Sequence, residues 1–120
     1  MKVKLSVSFR FEASHKLSHL APSHPCHNLH GHSYEAEVEV TGKVNPETGF
    51  LLDYADIRAL LKPIISQLDH THLNDVPGLE MPTTELIAQW LWQRIKVKLP
   101  VISKITIRET PFTCCEYWGE

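Results

Sequence analysis

Long apolar runs are missing from this 120-residue chain: none exceeds three residues, far short of the roughly 20 that a membrane-crossing helix needs. The first residues, Met1-Lys2-Val3-Lys4-Leu5-Ser6, alternate polar and apolar, where a signal peptide requires a continuous apolar stretch. The cytoplasm is therefore the expected location. Cysteine is too scarce for a disulfide framework, since Cys114 and Cys115 are neighbours that pair only with strain and a single thiol, Cys26, remains. An excess of one charge is missing as well. Twelve Lys and Arg against 14 Asp and Glu leave a net charge of −2, with 42% hydrophobic residues, so the chain reads as neither disordered nor basic enough to grip nucleic acid. No internal repeat, low-complexity tract or linker divides it. One globular domain over residues 1–120 is expected, long enough to bury roughly two-thirds of its unfolded surface without covalent staples.

What the chain has in abundance is histidine: eight residues, six of them between His15 and His32. Clustered imidazoles near a cysteine raise the expectation of a metal or proton-transfer site.

Residues 3–13 alternate without a fault, with Val3, Leu5, Val7, Phe9, Phe11 and Ala13 on one side and Lys4, Ser6, Ser8, Arg10 and Glu12 on the other, a strand with one buried face. Residues 32–41 repeat the pattern, with Tyr34, Ala36, Val38 and Val40 inward and three glutamates outward. The intervening residues 16–29 are too many for a tight turn and form a candidate functional loop. Ile57, Leu60, Leu61, Ile64, Ile65 and Leu68 then fall on one helical stripe with Asp53 as N-cap, and Pro63 inside it should kink or split the helix. A second helix begins near Thr83 and runs through Leu86, Ile87, Trp90, Leu91 and Ile95 toward Pro100. Residues 103–109 and about 112–118 read as closing strands. The order ββααββ predicts an α+β fold, an antiparallel sheet with two helices on one face. The other face meets water or a polar channel, and self-assembly is one way to cover the sheet edges.

Carried past the apolar residues, the alternation places His15 on the inward face of the first strand and His30 and His32 on that of the second. Gly31 between the pair removes a side chain that would crowd them. Three neutral imidazoles converging from adjacent strands form a facial ligand set that leaves Zn²⁺ an open position. Two plainer arrangements stand beside it: hydrogen-bonded histidines at the strand ends, and a closed structural site completed by Cys26. Outside the metal sphere, Cys26 lies among histidines in a setting that favours thiolate, fit for a base or nucleophile. Asp69 beside His70 can hold the imidazole in one tautomer as a general base, although neighbours in sequence need not touch. Glu109 shares a strand face with Ile105 and Ile107. Unless the strand has already ended, a carboxylate there needs donors, such as two adjacent N–H groups of a ligand.

Together Cys26-His27-Asn28-Leu29-His30-Gly31-His32, the upstream His15, Leu68-Asp69-His70 with Leu73-Asn74, Pro82-Thr83-Thr84-Glu85 and Arg108-Glu109-Thr110 resemble the 6-pyruvoyl-tetrahydropterin synthase superfamily, in order and over nearly the whole chain. The three residues between Cys26 and the His-Gly-His triplet, and the ending Cys115-Glu116-Tyr117-Trp118-Gly119-Glu120, are similar to the branch that makes 6-carboxy-5,6,7,8-tetrahydropterin in queuosine biosynthesis; pyruvoyl-forming members usually carry five. Met81 departs from the asparagine common before the proline.

The resemblance implies a tunnelling fold, in which trimers close a barrel with the helices outside and often pair into hexamers, with sites between subunits. It implies a zinc-dependent lyase that takes 7,8-dihydroneopterin triphosphate to 6-carboxytetrahydropterin, acetaldehyde and triphosphate. His15, His30 and His32 would then hold Zn²⁺, Cys26 would be one base, and His70 oriented by Asp69 the other, reaching in from a neighbouring subunit. Glu109 would anchor the pterin, with Thr83, Thr84 and Glu85 nearby. Lys16 and His27 are the candidate partners of the triphosphate. The alternatives are a pyruvoyl-forming synthase and a non-enzymatic structural zinc module.

Overall fold

A computed structural model describes residues 1–120. Two long strands, β1 (Lys2–His15) and β2 (His30–Lys43), pair antiparallel over their full length, from Lys2↔Lys43 to His15↔His30. Then follow α1 (Tyr54–Ser66), a two-residue strand β3 (Thr71–His72), α2 (Thr84–Lys96), β4 (Ile102–Thr110) and β5 (Thr113–Tyr117). Short 3₁₀ turns occupy Pro25–His27 and Leu73–Asp75. The sheet order is β3-β1-β2-β4-β5.

The sheet is mixed rather than purely antiparallel, because β3 runs parallel to β1 through Ala13↔Thr71 and Ser14↔His72. Two residues are too few for any periodicity to announce a strand. The pairing arises because the chain leaves α1 through His70 in the left-handed region, at φ 57°, and turns Thr71 alongside β1.

The helices start where side-chain oxygens supply caps. The Asp53 carboxylate accepts the Ala55 N–H at 2.8 Å, and the Thr83 hydroxyl accepts the Leu86 N–H at 3.3 Å. Pro63 does not split α1. It lies in the last turn on the exposed side, and the carbonyl it leaves without an N–H partner belongs to exposed Ala59, where water can satisfy it. No helix is long and apolar enough to cross a membrane.

Both helices cover one face of the sheet. Twenty-three buried apolar residues form the core, among them Phe11, Tyr34, Ile57, Leu61, Leu91, Ile105 and Ile107. Leu60 and Leu86, at the margins of their stripes, stay exposed. Val3, Leu5 and Phe9 are only half-buried, since β1 and β2 reach beyond the helices in a molecule measuring 57 × 23 × 22 Å. On the opposite face Lys104 bridges Glu116 at 2.7 Å and Glu39 at 3.6 Å. The outer edge of β1 is paired only at its last residues, and β5 has no outer neighbour.

Candidate metal and pterin site

His15 is the last residue of β1, fully buried, and His30 faces it across the first pair of the β1–β2 ladder. His32 follows two residues later on the same face, next to buried Tyr34. Ring centroids lie 4.5–5.2 Å apart, and one nitrogen from each ring lies within 4.8 Å of the others. Gly31 does not relieve crowding between these rings. A Cβ there would meet only the Ala13 carbonyl at 3.5 Å, an ordinary contact, and the missing side chain instead opens space on the opposite face.

The second nitrogens set the tautomers. His15 Nδ1 lies 2.9 Å from the Pro82 carbonyl and His30 Nδ1 2.7 Å from the Asn28 carbonyl. A carbonyl only accepts, so each Nδ1 donates and each Nε2 of a neutral ring presents a lone pair. Those two Nε2 atoms are 2.9 Å apart. Two lone pairs at that distance repel unless a proton or a cation lies between them. The Nε2 atom of His32 is buried without any hydrogen-bond partner, which costs free energy unless something else occupies its lone pair. Burial lowers the pKa of both His15 and His32, with the neighbouring histidines adding to it, so both favour the neutral, ligating form. These residues fit a divalent cation, and imidazole nitrogens suit zinc and its neighbours in the first transition row.

The remaining candidates sit around this set without joining it. Cys26 is half-buried in the 3₁₀ turn, its N–H donating to His24 Nδ1 at 3.1 Å and its carbonyl accepting from Leu17 at 2.8 Å; its thiol is not among the clustered donors. Asp69 and His70 do touch, with Oδ2 3.0 Å from Nδ1. The other Asp69 oxygen accepts the Glu12 N–H at 2.9 Å, and the His70 N–H donates to the Glu12 carbonyl at 2.6 Å. These bonds pin the dyad to the edge of β1 and hold the Asp69 carboxyl below its usual pKa, the Glu12 N–H contributing most. The His70 side chain is 79% exposed, and no hydrogen bond or ion pair links it to the three rings.

Glu109 does continue the buried face of β4, half-buried beyond Ile105 and Ile107, with a carboxylate oxygen 3.8 Å from His32 Nε2. Both residues border a cavity of about 430 Å³ whose other lining residues, Arg10, Gly31, Ser33, Glu35 and Arg108 among them, belong to the opposite, polar face of the sheet. Thr83, Thr84 and Glu85 form the start of α2 beside Pro82, whose carbonyl reaches His15. Their side chains are engaged locally: Thr83 caps the helix and Thr84 donates to Glu85 at 2.7 Å. They do not line that cavity.

A profile of the 6-pyruvoyl tetrahydropterin synthase family matches residues 4–120. The chain belongs to that family. It is 35% identical over 117 residues to a 6-carboxy-5,6,7,8-tetrahydropterin synthase of Synechocystis, covering 92% of this chain and 89% of that one. To the human 6-pyruvoyl tetrahydrobiopterin synthase it is 33% identical over 135 residues, covering 99% and 93%. The solved 6-pyruvoyl tetrahydropterin synthase of Caenorhabditis elegans superposes with a TM-score of 0.90 at 26% identity, over 100% of this chain and 97% of that one. The expected tunnelling fold of a family member is thus present in the single chain.

Sequence reasoning missed the carbonyls of Asn28 and Pro82 as outer partners of the metal set, because backbone acceptors carry no residue signature. It placed Arg10 on the face that meets water or a polar channel and named Arg108 only within the Arg108-Glu109-Thr110 motif. Their alternation on the polar face is the one signal available, and it does not distinguish a cavity wall from open surface.

Proposed function

We propose that this chain is a cytoplasmic, zinc-dependent 6-carboxy-5,6,7,8-tetrahydropterin synthase. It would be a carbon–carbon lyase converting 7,8-dihydroneopterin triphosphate to 6-carboxytetrahydropterin, acetaldehyde and triphosphate for queuosine (7-deazaguanine) biosynthesis. The observation that carries the reading is the trio of converging imidazoles, one buried and two half-buried, two with Nε2 lone pairs face to face and the third with an unpartnered Nε2 3.8 Å from a carboxylate. The short spacing from Cys26 to His30 and the similarity to the Synechocystis enzyme favour the carboxy-forming outcome.

In this reading His15, His30 and His32 hold the ion and Cys26 stays outside its sphere. When bound, Zn²⁺ supplies Lewis-acid stabilisation of charge on the substrate's side-chain oxygens. Glu109 accepts two N–H bonds from the pterin ring and its amino group, a charge-assisted pair that orients the side chain toward the histidines. The Cys26 thiolate takes one proton from the side-chain carbons and His70, held by Asp69, handles the second. Thr83, Thr84 and Glu85 border the pterin from the start of α2.

The exposed dyad and the open sheet edges support an oligomer. A second copy pairing along β1 and β5 would remove both edges, and its own Asp69–His70 would complete the neighbour's site. The assembly expected is a trimeric barrel or a pair of them as a hexamer, with a single domain spanning residues 1–120 in each subunit.

The human relative, nearly as similar, keeps a second reading in view, a pyruvoyl-forming synthase. Incubation of the zinc-loaded protein with 7,8-dihydroneopterin triphosphate, mass spectrometry of the pterin and trapping of acetaldehyde decide between them. A carboxylated pterin with acetaldehyde is expected. A pyruvoyl product without acetaldehyde would establish the second reading. A Cys26→Ala variant that loses zinc and unfolds would instead support a structural module.

A further inference from the structure

Residues 16–29, the loop that carries Cys26, are hydrogen-bonded almost wholly among themselves. The Leu17 N–H donates to the Cys26 carbonyl at 2.8 Å, Leu20 to Leu17 at 3.0 Å, His24 to Ala21 at 2.8 Å and His27 to His24 at 3.0 Å. His27 Nδ1 donates to the Leu20 carbonyl, and the Asn28 carbonyl meets His30 at the adjoining strand end. The hydrogen bonds that tie this loop to any other part of the fold come from a single side chain, Asn74. Its Oδ1 accepts the Lys16 N–H at 3.0 Å, and its Nδ2 donates to the Lys16 carbonyl at 2.8 Å. The side-chain amide thus exchanges both bonds with one residue, as a facing residue of an antiparallel ladder would.

The stretch of chain that ends at Asn74 already grips the end of β1. Asp69 accepts the Glu12 N–H, His70 donates to the Glu12 carbonyl, and Thr71 and His72 pair with Ala13 and Ser14. The backbone then turns away into the 3₁₀ segment Leu73–Asp75, and the Asn74 amide carries the pairing on to Lys16. Leu73 is fully buried and anchors that turn to the core. The second N–H of Asn74 reaches the Glu80 carbonyl at 3.5 Å, two residues before Pro82, whose own carbonyl orients His15. One amide therefore joins three pieces: the start of the Cys26 loop, the segment bearing Asp69 and His70, and the turn that fixes a candidate metal ligand. From Lys16 the path to Cys26 is one residue and one hydrogen bond, Leu17 to the Cys26 carbonyl.

We propose that Asn74 is a positioning residue that locks the Cys26 loop to the rigid strip of residues 69–74 and so holds the thiol in place near the three histidines. This rests on the reading of Cys26 as a base and adds the group that keeps it in place.

The test compares the zinc-loaded parent with Asn74→Ala and Asn74→Asp, each checked for zinc content. Aspartate keeps an acceptor for the Lys16 N–H but sets a second oxygen against the Lys16 carbonyl, so one bond of the two survives. Hydrogen exchange read by mass spectrometry should be about tenfold faster or more in the alanine variant over peptides covering residues 16–29, and unchanged over β4 and β5. The aspartate variant should fall between. With 7,8-dihydroneopterin triphosphate, kcat of the alanine variant should drop about tenfold or more while KM stays within about threefold and zinc is retained; a general loosening of the fold would instead spread the exchange to β4 and β5. Loop exchange equal to the parent's, exchange raised equally throughout, or a faster-exchanging loop with kcat unchanged would overturn the assignment. Should the alanine variant fail to fold, the aspartate variant decides, and loop exchange in it no faster than the parent's would overturn the proposal. Absence of turnover by the parent would count against the enzyme reading alone, because loop exchange still decides whether Asn74 is the clamp.

Discussion

Replacing Glu109 with glutamine separates pterin anchoring from metal binding. In the free protein the carboxylate is 29% exposed, makes no hydrogen bond, and lies 3.8 Å from His32 Nε2, so its charge is held at a cost that a ligand would offset. Glutamine keeps the shape but turns one acceptor oxygen into an NH₂ donor facing a ring donor. Loss of one hydrogen bond to a charged acceptor is worth about 1.5–3 kcal/mol, or roughly 10- to 150-fold in kcat/KM. The loss should fall mainly on KM, since the ring lies away from the reacting side chain. Thermal stability should hold or rise slightly, because a partly desolvated charge has been removed. Zinc content by plasma mass spectrometry, a thermal melt and steady-state triphosphate release measure the three quantities. Zinc lost together with activity would make Glu109 a metal ligand, and turnover within about threefold of the parent would refute the anchor outright.

Chelation should abolish turnover and lower the melting temperature while far-ultraviolet circular dichroism persists, because 23 buried apolar residues stand independently of the histidines; collapse of the fold would contradict an open catalytic site. Thr83→Ala should cost about 1 kcal/mol in urea unfolding through loss of the α2 cap, with Thr83→Ser restoring it; equal stability in the two variants would show that the hydroxyl does not cap. For metal-free protein, burial holds His15 and His32 below the ordinary value of 6.5. The unfolded chain therefore binds more protons than the folded one just below that pH, and stability should rise as pH climbs through the window up to 6.5. Denaturant midpoints at about pH 5.5 and 7.5 check this, and the difference should shrink in a His15→Asn/His32→Asn variant.

The parts of the site legible in the linear chain are those governed by local periodicity. Strand alternation sets the side of the sheet on which each residue lies, so His15 in phase with Ala13, and His30 and His32 in phase with Tyr34, could be placed on one face before any contact was known. The same rule put Glu109 with Ile105 and Ile107, and helical spacing with Asp53 and Thr83 as caps defined α1 and α2. Pro63 leaves α1 unsplit, one of the two outcomes the sequence offered failing because the freed carbonyl is exposed, and that is a tertiary fact.

The sequence by itself therefore determined which side chains share a face and a chemistry, since φ/ψ sterics fix direction over a few residues without help from the rest of the chain. Only the tertiary structure decided distances between remote segments. The Pro82 carbonyl meets His15 across 67 residues, β3 pairs with β1, and Arg10, Glu35 and Arg108 come together around one cavity. Such approaches depend on how core packing docks whole elements, an outcome of many small contacts that no short window of residues contains.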